Sequence, residues 1–319
     1  EMYGEKGNHI ITSQVEHHAV LDTCKYLQRR GFDITYLPVD RYGLVDPDDV
    51  KDAITDKTIL VSVMAANNEI GTLSPIQEIG AVTRERGVLF HTDAVQAAGK
   101  VPVDVEEFNI DIASVSAHKM YGPKGIGALY VRTKNPRVKL SPIIHGGGHE
   151  RGMRSGTLNV PGIVGFGEAC GICMQEMTDE SARLKALRDK LYNTIIKEHE
   201  DVFLNGHPDL RLPQNLNLSF AYVEGESLIM GMKDVAVSSG SACTSATLKP
   251  SHVLKAIGVS EDLAHTSIRF GLHRFNTEEE IDYVADRVND TVRKLRELSP
   301  LYEMAKEGID IKSVKWSSD

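Results

Sequence analysis

Short apolar runs alternate with segments of helical periodicity along the first half of this 319-residue chain, and no other feature constrains its fold as strongly. The apolar runs predict strands over His9–Thr12, Asp33–Leu37, Ile59–Met64, Val88–His91, Ile110–Val115 and Ile126–Val131. The segments between them predict helices over Ala19–Arg30, after Asp46-Pro47 and over Ile76–Arg86. Strands that alternate with helices build a mostly parallel sheet with helices on both faces. We therefore expect an α/β fold.

The pattern changes near Val164, where one long helix is predicted through Glu198. The chain then alternates again, with predicted strands over Asn215–Phe220, Val235–Ser238 and Ser267–Phe270 and predicted helices over Glu226–Met232, His252–Ile257 and Glu278–Leu298. This pattern is typical of a smaller α+β domain. We expect a large domain over residues 1–163 and a small C-terminal domain over residues 164–319. Because the chain opens without an initiator methionine or a signal-like segment, we also expect that an N-terminal part is missing.

Charge and composition argue against several classes of protein. A formal charge of −9 disfavours non-specific nucleic-acid binding. No apolar run approaches the roughly 20 residues that a membrane helix needs, so we expect no membrane association. The four cysteines are too few and too scattered for a secreted disulfide scaffold. These features predict a protein of a reducing compartment, either the cytoplasm or, in a eukaryote, the mitochondrial matrix.

Polar side chains follow three of the predicted strands in succession: Asn68, then Asp93, then the set Ser116, His118 and Lys119. Ligands of open α/β sheets bind outside the carboxyl ends of the strands. Each polar turn is ordinary by itself, but together they place an amide, a carboxylate, a hydroxyl and an amine around one crevice. A lysine amine can hold an aldehyde as a Schiff base, and a carboxylate can pair with a pyridinium N–H. The pattern therefore suits pyridoxal 5'-phosphate chemistry.

Two further side chains are candidates for the chemistry. His17 follows the first predicted strand, where it could stack on a ring and move protons or could simply begin a helix. Cys243 lies in a run of small residues, Val237–Thr247, that cannot pack a core and should form a mobile loop. A thiol there can reach a substrate, and a nearby base or cation would help to form its thiolate. The alternative role of a small buried side chain suits Cys24 better.

Other patterns favour structural interpretations. Cys170 and Cys173 lie inside a helix-period run, so packing is favoured over a redox or zinc site. The glycines at 146–148 lack the strand-to-helix context of a phosphate-binding loop, which favours a flexible loop. His145 and His149 flank these glycines without accompanying carboxylates. We expect no metal held by this chain alone.

Several segments together resemble the cysteine desulfurases of the housekeeping iron–sulfur-cluster assembly type. The matching segments are His17, Asn68–Gly71, His91–Gln96, Ser116–Lys119, Gly146–Thr157 and Ser238–Ser245, and the likeness runs from Gly7 to Trp316. The resemblance implies a class V aminotransferase-type fold (fold type I), with a large domain that binds pyridoxal 5'-phosphate and a small domain, in a homodimer. It also implies that the family's phosphate-binding Gly/Ala-Thr turn lies upstream of residue 1.

The resemblance also implies a role for each cofactor-binding residue. Lys119 would be the Schiff-base lysine, Asp93 the partner of the pyridine nitrogen, and His17 the stacking acid–base residue. Asn68 and Gln96 would be hydrogen-bond partners of the ring hydroxyl or the substrate. The phosphate would be held by Ser116, His118 and, from the other subunit, Thr157.

The implied reaction converts L-cysteine to L-alanine and leaves a persulfide on Cys243. Arg269 matches the family residue that receives the substrate carboxylate, and Arg274 is the weaker candidate. The implied recipients are an iron–sulfur scaffold protein and other sulfur acceptors. A basic strip of Arg132, Lys134, Arg137 and Lys139 and the tail after Ser299-Pro300, with Trp316, are the candidate surfaces.

Two alternatives stay open. A selenocysteine lyase or an aminotransferase of the same fold would use Lys119 and Asp93 but would not need the loop thiol. A truncated, non-catalytic scaffold subunit would keep the tail and lack the cofactor.

Overall fold

The computed structural model describes residues 2–239 and 250–308. The chain forms two compact units, one made of Glu1–Ala182 and Gly206–Pro213, the other of Arg183–Asn205 and Gln214–Asp319. The boundary expected after residue 163 falls in the first turn of a helix over Val160–Glu198, and the first unit continues along that helix to Ala182. No helix in the described ranges is long and apolar enough to cross a membrane.

The first unit contains a six-stranded sheet. Its strands are β1 (His9–Ser13), β2 (Asp33–Leu37), β3 (Thr58–Ser62), β4 (Leu89–Asp93), β5 (Ile112–Ser116) and β6 (Gly127–Val131). Its helices are α1 (His18–Gln28), α2 (Pro47–Ala53), α3 (Ile76–Arg86) and the start of α4 (Val160–Glu198), with 3-10 turns over Ala117–Met120 and Glu150–Gly152.

The strand order of this sheet is β2-β1-β3-β4-β5-β6, and all neighbours are parallel except β5 and β6. The mostly parallel sheet expected from the sequence is confirmed. Since parallel strands share a direction, β1, β3, β4 and β5 end at the same edge of the sheet. This edge positions the candidate site.

Local chemistry explains where the helices of this unit begin and end. Asp46 accepts the amide of Asp48, and Pro47 occupies the first position of α2, where its missing N–H costs nothing. Helix α3 ends at Gly87, whose φ of 67° lies in the left-handed region that favours glycine. The sheet is covered by an apolar core that includes Ile11 and Phe90, both fully buried.

The second unit has a four-stranded antiparallel sheet in the order β7-β8-β10-β9. The strands are β7 (Val202–Leu204), β8 (Asn215–Phe220), β9 (Ser238–Ser239) and β10 (Ser267–Gly271). The helices are α5 (Gly225–Gly231), α6 (His252–Ala256), α7 (Glu261–His265), α8 (Glu278–Glu297) and α9 (Pro300–Lys306). A capping box between Thr277 and Glu280 begins α8. The apolar core of the second unit includes Leu218, Ile268 and Val288.

Two expectations differ from the structure. The strand expected over Val235–Ser238 is formed only at Ser238–Ser239, because the amide of Val235 bonds back to Met232 in a turn. Arg132, expected in an exposed basic strip, is only 5% exposed. Its guanidinium donates to the carbonyls of Val105 and Ile110 and pairs with Asp111 and Glu106, which fixes β6 beside β5.

Candidate active site

Four adjacent parallel strands end at one edge of the first sheet, and a residue singled out from the sequence follows or ends each of them. His17 caps α1 after β1, and Asn68 lies in the turn after β3. Asp93 is the last residue of β4, and Ser116 is the last residue of β5. Lys119 lies in the 3-10 turn directly after β5. We call these five residues the strand-end cluster.

The turn that carries Lys119 is short and closed. It ends at Tyr121, which has a φ of 63° and whose amide bonds back to the carbonyl of Ala117. The same carbonyl accepts the amide of Gly122 at 2.9 Å. The Lys119 side chain is exposed and makes no hydrogen bond or ion pair with any residue of 2–239 or 250–308. The structure therefore presents a primary amine that is available to a ligand.

A buried ion pair lies next to this turn, and no sequence pattern predicts it. The Nζ of Lys100 is 2.9 Å from Oε1 of Glu180 on α4, and 3.5 Å from the centroid of the Tyr121 ring. The hydroxyl of Ser181 donates to the carbonyl of Lys100 at 2.6 Å. These contacts attach α4 to the turn that carries Lys119.

Asp93 lies beside a half-buried imidazole that is held between two hydroxyls. His91 lies two residues before Asp93 on β4, with Nδ1 2.8 Å from Oγ of Ser62 and Nε2 3.0 Å from Oγ of Ser114. Burial lowers the pKa of His91, although the charge of Asp93 acts in the opposite direction. One oxygen of Asp93 accepts the amide of Val95 at 3.0 Å, which fixes the carboxylate at the strand end.

A second carboxyl group, missed by sequence reasoning, lies near Asp93. Glu16 is fully buried, and its Oε1 accepts from Oγ of Ser13 and from the amide of Met64, both at 2.8 Å. Burial raises the pKa of Glu16 to about 8, and the charge of Asp93 acts in the same direction. Glu16 is therefore a neutral acid at pH 7. In the sequence, the one indication that Glu16 belongs to the site is that it directly precedes His17.

His17 and Asn68 are held by their neighbours. Nδ1 of His17 accepts the amide of Ala19 at 3.1 Å, so the proton of the neutral ring resides on Nε2. Asn67, which precedes Asn68, donates from Nδ2 to the carbonyl of Val15 at 2.9 Å. Both side chains therefore project from turns that are fixed at their base.

The remaining predicted cofactor residues lie in the same unit. Ser116 Oγ and His118 Nδ1 are 2.8 Å apart, so a hydroxyl and an imidazole form a pair beside Lys119. Gln96 is half-buried just after β4. Thr157 is exposed between the second 3-10 turn and α4 and makes no hydrogen bond with Ser116 or His118. Within one chain, Thr157 is not joined to that pair.

Arg269 belongs to the second unit. It lies on β10, opposite Ser238 of β9, and its Nη2 is 3.3 Å from the Ser238 hydroxyl. Strand β9 leads into residues 240–249, so Cys243 lies outside the described residues, as does Trp316.

Within the part of the chain that the structure describes, the histidines and cysteines form no metal site. No cluster of three or more His, Cys, Asp or Glu residues that could hold a metal exists within the described ranges. Cys170 and Cys173 both lie within α4, and Cys173 is buried. His149 is used locally, since its Nδ1 accepts the amide of Gly156 at 3.3 Å.

Comparisons with known proteins identify the family of this chain. The family model for class-V aminotransferases matches residues 2–284. Cysteine desulfurase IscS of Anaeromyxobacter sp. (strain K) is 59% identical over 316 residues, which cover 99% of this chain and 78% of that relative. The solved structure of a NifS-like protein matches with a TM-score of 0.84 at 37% identity, over 92% of this chain and 77% of that one.

A second solved structure, that of SspA in complex with cysteine, matches with a TM-score of 0.73 at 38% identity, over 86% of this chain and 76% of that one. The family model, the relatedness over 99% of this chain and the matching fold thus lead to one family. The chain belongs to the cysteine desulfurases, enzymes of the class-V aminotransferase fold.

Proposed function

We propose that this enzyme removes the sulfur of L-cysteine with pyridoxal 5'-phosphate bound at the strand-end cluster and with Cys243 as the sulfur acceptor. The observation that carries the proposal is the placement of Lys119 and Asp93 at the ends of adjacent parallel strands, with the amine of Lys119 exposed and unengaged. A relative, SspA, has been solved with cysteine, which supports the choice of substrate.

The donor set fits this cofactor. Lys119 offers an amine for an aldehyde, Asp93 a carboxylate for a ring nitrogen, and the Ser116–His118 pair offers donors for a phosphate. His17, Asn68, Gln96 and, from a second subunit, Thr157 complete the proposed set. When bound, the cofactor supplies an electron sink for the bonds at the substrate Cα.

The chain's own side chains then perform distinct tasks. The planar guanidinium of Arg269 is shaped to receive a carboxylate through two parallel hydrogen bonds. His17 presents an N–H at Nε2 for proton transfer. The thiolate of Cys243 attacks the substrate sulfur: a sulfur–sulfur bond forms, the substrate carbon–sulfur bond breaks, and the released carbon takes up a proton. The products are alanine and a persulfide on Cys243.

We also propose that the enzyme acts as a homodimer. Large apolar side chains are exposed in the stretch from Ile143 to Met174, which includes Thr157. Ile143 is 90% exposed, Val164 65% and Met174 87%. Exposed apolar groups in such density mark association surfaces. We further propose that the persulfide sulfur passes to an iron–sulfur scaffold protein and to other acceptors.

The test is the yield of alanine and sulfide from L-cysteine, with added pyridoxal 5'-phosphate and a thiol reductant, for the wild type and for Cys243→Ala. We expect the substitution to abolish sulfide release. Borohydride treatment followed by peptide mass spectrometry should place the cofactor on Lys119, with Lys124→Ala as the control variant. Full turnover by Cys243→Ala would instead indicate a transaminase or a selenocysteine lyase, and a chain that binds no cofactor would indicate a non-catalytic subunit.

A further inference from the structure

We propose that Glu16 is a positioning residue. As a neutral carboxylic acid, it ties the turn that carries His17 to the end of the strand that leads to Asn68, and so holds both side chains at the sheet edge. This inference rests on the proposed function only for the roles given to His17 and Asn68.

Strand β1 stops pairing with β3 before the residues that lead to His17. Strands β1 and β3 pair through Thr12 and Ser62, and the chain then turns away from the sheet toward α1. On the other side, the chain after β3 still follows β4, since the amides of Val63 and Ala65 bond to the carbonyls of His91 and Asp93. The intervening amide of Met64 points toward the β1 side, because successive amides of an extended chain alternate.

Glu16 supplies the hydrogen-bond acceptor for the amide of Met64. Its Oε1 accepts from the nitrogen of Met64 at 2.8 Å, in the place that a backbone carbonyl of a longer β1 would take. A buried backbone N–H without a partner costs free energy comparable to a lost hydrogen bond. The side chain of Glu16 therefore continues the β1–β3 ladder past the end of β1.

Two further hydrogen bonds fix the same junction. The hydroxyl of Ser13 donates to Oε1 of Glu16 at 2.8 Å, and Nδ2 of Asn67 donates to the carbonyl of Val15 at 2.9 Å. Glu16 is 0% exposed and Asn67 2%. The segment before His17 and the segment before Asn68 are thus joined by the Glu16–Met64 and Asn67–Val15 hydrogen bonds, so a shift of one turn moves the other.

The surroundings of Glu16 favour its protonated form. Burial raises the pKa of Glu16 to about 8, and the hydrogen bonds from Met64 and Ser13 oppose this effect without cancelling it. The titratable neighbours that act on it are Asp93 on β4 and Cys24 on α1, and both are acids. Neither can stabilise a carboxylate. Glutamine has the shape of the neutral acid, so Glu16→Gln is the matched variant.

The experiment uses the cofactor-free chain of 319 residues, so its outcome does not depend on the proposed reaction. Thermal unfolding is followed at pH 6, 7, 8 and 9 for the wild type and Glu16→Gln. The folded-state pKa of Glu16 is raised, so its stabilising contribution is complete below the unfolded pKa and is lost as the pH rises to about 8. Between pH 6 and pH 8, we expect the Tm of the wild type to fall on the order of 5 °C more than the Tm of Glu16→Gln.

The positioning role is tested by the imidazole NMR resonances of chains labelled on histidine, with His17→Gln to identify the His17 signal. We expect that signal to stay in place at pH 6 in Glu16→Gln and to move in Glu16→Ala. Ser13→Ala replaces Glu16→Ala if the latter does not fold. Parallel Tm curves for the wild type and Glu16→Gln, or an unmoved His17 signal in Glu16→Ala, would overturn the proposal.

Discussion

The ammonium of Lys100 lies 3.5 Å from the centroid of the Tyr121 ring, and Tyr121 closes the turn that carries Lys119. The same ammonium pairs with Glu180 at 2.9 Å, and the two side chains are 4% and 7% exposed. An attraction between a cation and an aromatic face is strongest when water is excluded. Helix α4 therefore supports the lysine turn through the buried Lys100 ammonium, which contacts Glu180 on one side and the Tyr121 ring on the other.

Replacing Lys100 with methionine should destabilise the first unit strongly. The change leaves the Glu180 carboxylate buried without its counter-charge, which typically costs about 3–5 kcal/mol. Urea unfolding measures this loss. The double variant Lys100→Met/Glu180→Met should recover most of it, because an apolar pair can replace a buried ion pair without penalty. Lys185→Met, which breaks an exposed pair with Asp189, is the control; equal effects of Lys100→Met and Lys185→Met would contradict the prediction.

Three histidines should each lower the stability of the protein on mild acidification, while Glu16 acts in the opposite direction. Burial lowers the pKa of His9, His91 and His199. At these three histidines, the unfolded chain therefore binds more protons than the folded chain just below pH 6.5, so their contribution to stability is lost as the pH falls toward the folded-state pKa values. Each histidine that titrates in this way can contribute at most about 1.4 kcal/mol per pH unit. His91→Gln should reduce the loss between pH 7 and pH 5.5 in urea unfolding, and an unchanged slope would exclude His91 as a source.

Arg269→Lys should weaken substrate binding more than turnover. Lysine keeps the charge but cannot form two parallel hydrogen bonds with a carboxylate. A lost hydrogen bond between charged groups corresponds to roughly a 10- to 100-fold increase in KM. Steady-state kinetics with L-cysteine measure this change, and Arg274→Lys is the control variant. If Arg274→Lys raised KM instead, the two assignments would have to be exchanged.

Val164→Asp should break the proposed dimer. Val164 is 65% exposed within the apolar stretch Ile143–Met174, and a carboxylate buried in an interface without a partner costs several kcal/mol. Sedimentation velocity should show a shift to monomer, with at least about 100-fold weaker association. Leu298→Asp places the same charge on another exposed apolar side chain, 80% exposed, and should leave the assembly intact. Dissociation by both variants would place the interface elsewhere.

Local signals were sufficient for much of the first unit. Strand Asp33–Leu37 and helix Ile76–Arg86 were predicted to the residue, because a polar turn or a glycine cap marks where each ends. The polar residues after three successive strands indicated the strand-end cluster, because parallel topology brings such ends together. Strand β7 and helix α7 were not predicted, since three and five residues carry too little periodicity.

The supporting contacts of the site could not be predicted from local pattern. Glu16 and Met64 are 48 residues apart, and Lys100 and Glu180 are 80 residues apart. Each pair depends on how distant elements pack. Arg132 illustrates the same limit: its sequence neighbours suggest an exposed strip, whereas its burial is decided by Asp111 across the β5–β6 pair.

The antiparallel pairing of β5 with β6 has a consequence for the order in which this site can form. Ser116 pairs with Gly127, so the lysine turn lies inside the connection of a local strand pair, whereas His17, Asn68 and Asp93 depend on parallel pairings that close long loops. Pairings close in sequence form faster than distant ones. The segment that presents the amine should therefore reach its native shape early in folding, and the carboxylate, amide and imidazole should be brought to it later.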